Sequence, residues 1–189
     1  YAMLSLFSGM DVAVTRTLNG LAGASVGLDE LLVLVTSLGV PAIILAVALQ
    51  WWRRGERDRV RHVIVASGLS FVLGLGLNQL VLLFVHRLRP YDAGVTHLLI
   101  APSADWSFPS DHATAAMAVA AAFLLGRMPK TGLALLAAAL LMMVSRVYVG
   151  THYTSDVLGG AITGVAAALA VWALYREGTK LDRLFTRIL

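Results

Sequence analysis

The stretch LLVLVTSLGVPAIILAVALQWW, residues 31–52, decides the fold class because it contains no charged residue. A helix that crosses a bilayer needs roughly 17–25 predominantly apolar residues, and this stretch is long enough. The stretch ends with Trp51 and Trp52, and tryptophans are typical of the membrane–water interface. The segment therefore predicts a transmembrane helix.

The composition of the whole chain agrees with a membrane protein. Of the 189 residues, 58% are hydrophobic and only 14% are charged, and the mean hydropathy is +0.78. Soluble domains carry about a quarter charged residues, so this chain has too few to cover a surface that faces water. The composition excludes a disordered chain or a coiled coil. The absence of cysteine excludes a disulfide framework, a thiolate nucleophile and a cysteine-ligated metal.

Further apolar stretches are long enough to span, at residues 63–85, 132–149 and 157–175. Residues 113–126 are apolar but short, and their alanines allow neighbouring helices to approach closely. We interpret this segment as a helix buried in the bundle that starts below the outer membrane surface. Gly160 and Gly164 have a spacing typical of helix packing. The expected fold class is all-α, a polytopic membrane bundle of five to six helices.

The two ends of the chain differ from its apolar centre. Near the start, Asp11, Arg16 and Asn19 interrupt the apolar pattern, which favours an interfacial amphipathic helix over a span. We expect a single membrane domain, residues 1–189, made of an N-terminal helix in 1–28, a helical core in 30–175 and a cytoplasmic tail in 176–189.

The basic residues predict the orientation. Three segments expected on one side, 53–62, 127–130 and 176–189, hold 11 of the 15 lysines and arginines. By the positive-inside rule that side is cytoplasmic, so residues 86–112 and 145–156 face outward. Topology therefore explains the basic excess, and we expect no nucleic-acid partner.

Many of the charged and polar residues that are unusual for a membrane protein lie on the expected outer side. It falls in three short stretches, HRLRP at 86–90, SFPSDH at 107–112 and SRVYVGTHYTSD at 145–156. Ionisable groups at membrane depth are costly and mark functional sites by default. We expect the three stretches to form one recessed site on the outer face.

Two arginines and a helix start suit the binding of phosphate. The guanidinium groups of Arg89 and Arg146 offer planar forks that match phosphate oxygens. Ser110 follows a proline and precedes the alanine-rich helix, so it is placed as an N-cap. The free N–H groups at a helix start form an anion site.

Two histidines and one carboxylate suit phosphoryl transfer. His152 and Asp156 are four residues apart, so a carboxylate at the start of the last span can reach one imidazole nitrogen and leave the other free to attack. His112 lies in a different stretch and can donate a proton to a leaving oxygen. The set predicts metal-independent phosphoryl transfer, in which positioning and charge stabilisation do most of the work.

Two other interpretations use the same residues. His112, His152 and nearby carboxylates also suit zinc, but Arg87, Arg89 and Arg146 would repel a dication, so we expect neither a metal nor another cofactor. A lipid flippase or transporter would bind a headgroup with this cluster. Such a protein gains nothing from an oriented nucleophile, so the spacing of histidine and aspartate favours an enzyme.

The three stretches resemble the signature motifs of the type-2 phosphatidic-acid phosphatase superfamily, which are Lys-x6-Arg-Pro, Pro-Ser-Gly-His and Ser-Arg-x5-His-x3-Asp. The third motif is complete in residues 145–156. The second has Asp111 in the place of glycine. The first retains Arg89 and Pro90 but has Leu82 where the family has lysine.

Within that superfamily, residues 105–112 and 145–159 are similar to the bacitracin-resistance type of undecaprenyl-diphosphatase, which shares the Ser-Asp-His variant and lacks the first lysine. The resemblance implies a bacterial cytoplasmic-membrane enzyme of cell-wall biosynthesis that removes the terminal phosphate of undecaprenyl diphosphate at the outer face. Phosphatidylglycerol phosphate, phosphatidate and the phosphates of lipid A remain alternative substrates. Vanadate-dependent haloperoxidases share the motifs but are soluble.

The same resemblance implies the role of each residue. His152 would attack phosphorus and carry a phosphohistidine, Asp156 would hold its ring, and His112 would protonate the leaving group and then activate water. The phosphoryl oxygens would be bound by Arg89, Ser110 and Arg146.

The two departures from the family pattern, at Leu82 and Asp111, each lead to an expectation about the structure. We expect Arg87 to replace the missing lysine as a phosphate ligand. Asp111 would place a negative charge beside an anion site. We therefore expect its side chain to turn away and pair with an arginine, or its backbone N–H alone to serve the site.

Overall fold

The computed structural model describes residues 2–53 and 55–187, with side chains from Ser8 onward, and the described chain is helical without a strand. The helices are α1 (Ala2–Asn19), α2 (Val26–Ala48), α3 (Arg57–Leu82), α4 (Asp111–Leu125), α5 (Pro129–Tyr148), α6 (Thr154–Leu174) and α7 (Lys180–Thr186). A short 3₁₀ helix, Leu49–Trp52, prolongs α2. The expected all-α class is confirmed.

Four helices are long and apolar enough to cross a membrane: α2 with its 3₁₀ extension, α3, α5 and α6. They correspond to the four long apolar stretches of the sequence. The helix α4 is shorter, as expected for residues 113–126. The placement of residues 1–28 at the membrane interface stays a prediction.

The helix α4 forms the centre of the bundle and packs against α3, α5 and α6. Every residue from Ala113 to Phe123 is buried. Small residues permit this packing, because a Cβ atom at Gly160 of α6 would lie 2.4 Å from the carbonyl oxygen of Ser110. The close approach of α6 to α4 fixes the start of α4, which is where the polar stretches meet.

The C-terminal tail is tied to the bundle by one buried carboxylate. The side chain of Asp182 in α7 accepts hydrogen bonds from the hydroxyl of Tyr175 at 2.7 Å and from the backbone N–H of Gly178 at 2.7 Å. It also lies 2.8 Å from Nδ1 of His62 in α3. The short helix α7 is therefore held against α3, on the opposite end of the bundle from the polar stretches.

A glycine sets the sharp turn between α5 and α6. Gly150 has a φ of +85°, and a Cβ atom there would lie 2.2 Å from the carbonyl oxygen of His97. Only glycine fits both the left-handed backbone and this close approach. The turn presents His152 toward the start of α4.

Candidate active site

His152 is the buried centre of the site, and its side chain is 3% exposed. Its Nδ1 atom lies 2.8 Å from the carbonyl oxygen of Ser107. A carbonyl only accepts hydrogen bonds, so Nδ1 carries the hydrogen and Nε2 presents a lone pair. Burial lowers the pKa of His152 to about 4, more strongly than Asp156 raises it, so the imidazole is neutral at pH 7. A neutral ring with an unprotonated Nε2 is the form that can attack phosphorus.

Asp156 is fully buried and held by three donors. Its Oδ2 atom accepts from the hydroxyl of Ser107 at 2.5 Å and from the N–H of Tyr153 at 2.8 Å, and its Oδ1 atom accepts from Arg87 at 2.6 Å. Oδ2 lies 3.7 Å from Nδ1 of His152, which is too long for a hydrogen bond. The sequence predicted a direct bond, whereas here the backbone of Ser107 fixes the ring and Asp156 acts on it through its charge.

Arg89 lies beside the free nitrogen of the nucleophile. Its Nη1 atom is 3.3 Å from Nε2 of His152 and donates to the carbonyl of Thr151 at 2.9 Å. Asp105 fixes the other side of the guanidinium, accepting from Nη2 at 2.8 Å through Oδ1 and from Nε at 3.0 Å through its carbonyl. The predicted phosphate ligand is thus brought directly to the reacting nitrogen.

Ser110 and Arg146 contribute buried polar atoms that lack a partner among the described residues. The hydroxyl of Ser110 and the Nε of Arg146 are both of this kind. Nη1 of Arg146 donates to the hydroxyl of Thr36 at 3.0 Å, and the charges of Arg146 and Arg89 interact with each other. Buried polar atoms without a partner are costly. Oxygen atoms of a phosphate would satisfy these donors and neutralise the two arginines.

Ser110 is the N-cap of α4 by position, but its side chain makes no capping bond. The expected cap interaction is therefore absent, and the hydroxyl stays available to the site. His112, in the first turn of α4, has no hydrogen-bond partner among residues the structure describes. The charges of Arg146, His152 and Arg89 act on its ring, which places it at the same site.

Asp111 points away from the phosphate-binding atoms. Its Oδ1 atom accepts a hydrogen bond from the side-chain amide of Asn78 in α3 at 2.7 Å. The same amide donates to the hydroxyl of Thr114 at 2.9 Å. The expectation that the carboxylate turns away agrees with this geometry, but its partner is an asparagine and not an arginine.

Arg87 does not lie where the sequence placed it. Its guanidinium binds Asp156, donates to the hydroxyl of Ser155 at 2.6 Å and pairs with Asp11 at 2.6 Å. It also stacks over the ring of Tyr153, at 3.7 Å from its centroid. Every polar contact of the Arg87 side chain is thus to these two carboxylates and this hydroxyl, and the structure gives no support to the expectation that Arg87 replaces the missing lysine as a phosphate ligand.

Sequence reasoning missed several residues that support the site. The sequence gave little indication of their roles. Each is either a single polar residue in an apolar segment or a residue that lies outside the motif positions. These residues are Asp11, Thr36, Asn78, Asp105, Ser107 and Thr151.

The assembled site has the parts needed to transfer a phosphoryl group. An unprotonated histidine nitrogen lies beside an arginine, a second arginine interacts with the same histidine through its charge, and this arginine and a serine hydroxyl have buried polar atoms without a partner among the described residues. Such preorganised positive groups stabilise the charge that develops on transferring oxygens. The fold positions them by joining the start of α4 to the turn before α6.

Known proteins share both the sequence pattern and the fold. The sequence profile of the PAP2 superfamily matches residues 63–180, which include all three polar stretches. The undecaprenyl-diphosphatase BcrC of Bacillus subtilis is 36% identical over 82% of this chain and 79% of its own length. Phosphatidylglycerophosphatase B of Bacillus subtilis is 31% identical, over 73% of this chain and 70% of its own.

A solved structure shows the same architecture. The PAP2-type phosphatidylglycerolphosphate phosphatase of Bacillus subtilis superposes with a TM-score of 0.70, at 24% identity, over 93% of this chain and 89% of that one. The profile covers more than half of the chain, and a relative of 36% identity aligns with most of it. This chain is therefore a member of the PAP2 superfamily.

Proposed function

We propose that this membrane lipid phosphatase hydrolyses undecaprenyl diphosphate to undecaprenyl phosphate and inorganic phosphate, on the outer face of a bacterial cytoplasmic membrane. The observation that carries the proposal is the unprotonated Nε2 of His152, which lies 3.3 Å from the guanidinium of Arg89. The identity to BcrC over most of both chains supports the choice of substrate.

In the first step, Nε2 of His152 attacks the terminal phosphorus and forms a P–N bond. The bond from phosphorus to the bridging oxygen breaks, and its electron pair leaves with undecaprenyl phosphate. Burial and the neighbouring arginines lower the pKa of His112 to about 4, and the negative charge of the bound diphosphate raises it again, so His112 takes up a proton as the substrate binds and gives it to that oxygen. Nδ1–H stays on the carbonyl of Ser107, so the ring keeps its orientation while it becomes cationic. Arg89, Arg146 and Ser110 bind the oxygens of the transferring group.

In the second step, His112 is neutral and accepts a proton from a water molecule as the water oxygen attacks phosphorus. The P–N bond breaks and its electron pair returns to Nε2 of His152. Inorganic phosphate leaves, and both histidines regain their starting protonation states. The two steps consume one water and need no other reactant.

The substrate assignment is tested by phosphate release from purified protein in detergent. Undecaprenyl diphosphate, phosphatidylglycerol phosphate, phosphatidate and lipid A would be compared at matched concentrations. We expect the highest kcat/KM for undecaprenyl diphosphate. A higher value for one of the glycerolipid phosphates or lipid A would assign the enzyme to that lipid and reject the proposed substrate.

The orientation predicts which side of the membrane each loop faces. The chain has no cysteine, so single cysteines report position without background. We expect a membrane-impermeant thiol reagent to label Asp92→Cys from outside intact cells, and Arg183→Cys only after the membrane is opened. Both positions are exposed. The reverse pattern of labelling would turn the site toward the cytoplasm and reject an outer-face substrate.

Activity is expected to survive removal of metal ions. Arginine side chains and the start of α4 supply the positive charge that a metal would otherwise give to the transferring group. Phosphate release would be measured before and after dialysis against EDTA, and the rate should remain within about two-fold, a difference small against the effect of losing a transition-state donor. Loss of activity that zinc or magnesium restores would contradict the phosphohistidine mechanism.

A further inference from the structure

The first helix reaches into the site through one carboxylate. Oδ2 of Asp11 in α1 accepts hydrogen bonds from Arg87 Nη2 and from the hydroxyl of Ser155, each at 2.6 Å, and Oδ1 accepts from the N–H of Ser155 at 2.8 Å. The side chain of Asp11 is only 11% exposed. Both of its oxygens are therefore committed to residues at the start of α6.

Asp11 is the outermost member of a chain of alternating charges. Arg87 links it to Asp156, because its two terminal nitrogens each lie 2.6 Å from one of the two carboxylates. Asp156 in turn faces Nδ1 of His152. Asp156 and His152 are both buried, so water screens the interaction of the carboxylate with the imidazole very little.

We propose that Asp11 is a positioning residue for the reaction, which acts through Arg87 to hold Asp156 and to leave its negative charge available to His152. This inference rests on the proposed phosphohistidine mechanism.

Asp11 is expected to affect the rate because a positive charge develops on the nucleophile during the reaction. When the P–N bond forms, the imidazole of His152 becomes cationic, and a nearby negative charge stabilises it. The group of Asp11, Arg87 and Asp156 carries one net negative charge. Without the charge of Asp11, the guanidinium and Asp156 would form a neutral pair, and the cationic ring would lose most of its stabilisation.

The expected kinetic signature follows from the position of Arg87. None of its polar contacts is to an atom assigned to phosphate binding. Loss of Asp11 removes a negative charge from the group, and loss of Arg87 removes the donor that holds Asp156 in place, so either change should lower kcat and leave both KM and inhibition by inorganic phosphate unchanged. If Arg87 instead bound phosphate directly, its loss would raise KM and weaken that inhibition.

A simpler role for Asp11 is to dock α1 on the start of α6, and a neighbouring residue provides the control. Thr15 lies one turn further along α1, and its hydroxyl accepts a hydrogen bond from the N–H of Thr154 at 3.0 Å. Thr15 thus joins the same two helices but makes no contact with Arg87. Thr15→Val removes a docking contact and leaves the charges intact.

The test compares Asp11→Asn, Asp11→Glu, Arg87→Met and Thr15→Val in the purified full chain, with each rate normalised to the monodisperse, folded fraction. We expect Asp11→Asn, which keeps the shape, to lower kcat about 10-fold or more, the scale of strongly coupled neighbouring groups. Asp11→Glu, which keeps the charge, should retain more activity than Asp11→Asn. Thr15→Val should stay within about two-fold of the unmodified protein.

The double variant Asp11→Asn/Arg87→Met shows whether Asp11 acts through Arg87. We expect its kcat to be no lower than that of Arg87→Met alone, because the second change also removes an unpaired carboxylate. Unchanged kcat in Asp11→Asn, equal losses in Thr15→Val, or additive losses in the double variant would each overturn the proposal.

Failure of this inference is distinguishable from failure of the proposed function. The unmodified protein is assayed first on undecaprenyl diphosphate and on the glycerolipid phosphates. If it acts on another lipid, the substrate assignment fails, and the variants are then compared on that lipid. If no phosphoenzyme forms on His152 with any substrate, the mechanism fails and the inference with it. A normal phosphoenzyme with wild-type kcat in Asp11→Asn rejects the inference alone.

Discussion

Replacing His152 with glutamine is expected to lower kcat by about 10⁴-fold or more, the scale seen when a member of a nucleophilic triad is lost. Glutamine can still donate to the carbonyl of Ser107 but offers no nitrogen lone pair for attack. Rapid acid-free quenching after incubation with substrate labelled in its terminal phosphate should detect a phosphoenzyme in the unmodified protein and none in His152→Gln.

His86 provides a matched control for that experiment. It also lies on the expected outer side, but its ring packs against Trp106 at a centroid distance of 5.1 Å and makes no contact with His152. His86→Gln should form a normal amount of phosphoenzyme and keep its rate. A labelled phosphoenzyme that persists in His152→Gln would assign the nucleophile to a different residue.

Replacing His112 with glutamine is expected to lower kcat by about 10²–10⁴-fold, the usual contribution of a general acid–base group. The two steps should respond differently. With undecaprenyl diphosphate the leaving group is a phosphate monoester, whose second pKa is about 6, so it can depart without a proton. Attack by water still needs a base, so the phosphohistidine should accumulate in His112→Gln and appear as a burst of undecaprenyl phosphate.

A glycerolipid phosphate provides the comparison within the same variant. Its leaving group is an alkoxide, which departs poorly without a proton, so the first step should become slow. His112→Gln should therefore show a larger loss of kcat on phosphatidate than on undecaprenyl diphosphate, and no burst. A loss of kcat on undecaprenyl diphosphate without accumulation of phosphoenzyme would contradict the role of His112 in activating water.

The spans and the motif residues were predictable because their signals are local. Long apolar stretches predicted α2, α3, α5 and α6, and the alanine content of residues 113–126 indicated the buried α4. From the motifs we expected Arg89 and His152 to lie in one site, and in the structure their side chains are 3.3 Å apart. For these spans and motif residues, chain position and residue type were sufficient to predict their place in the fold.

The contacts of Arg87 and Asp156 could not be predicted in the same way. From the sequence, Arg87 is two residues from Arg89, and the two are equally suited to phosphate. Its actual direction is set by Asp11, which lies 76 residues earlier in the chain. Likewise, the four-residue spacing placed Asp156 near His152, but it could not show that the carbonyl of Ser107 would take the hydrogen bond.

The polar residues of α1 illustrate a further limit. Asp11, Arg16 and Asn19 interrupt the apolar pattern, and from the sequence this favours an interfacial amphipathic helix. In the structure Asp11 and Asn19 point inward: Asp11 binds the start of α6, and Asn19 donates to the backbone of Tyr148 at 2.8 Å. A polar residue that faces the protein and one that faces water have the same sequence signal.

The contact between Asp11 and Ser155 joins two segments of the chain that are synthesised at different times. The two residues are separated by 144 positions, so the ribosome makes Asp11 long before its partner. Membrane helices insert one after another and associate afterwards, and contacts between distant segments form late. The charges around Asp156 are therefore completed only when α6 has entered the bilayer and returned to α1. On the proposed mechanism, a chain that already contains Arg89 and Arg146 stays inactive until α6, which carries Asp156, has packed against α1.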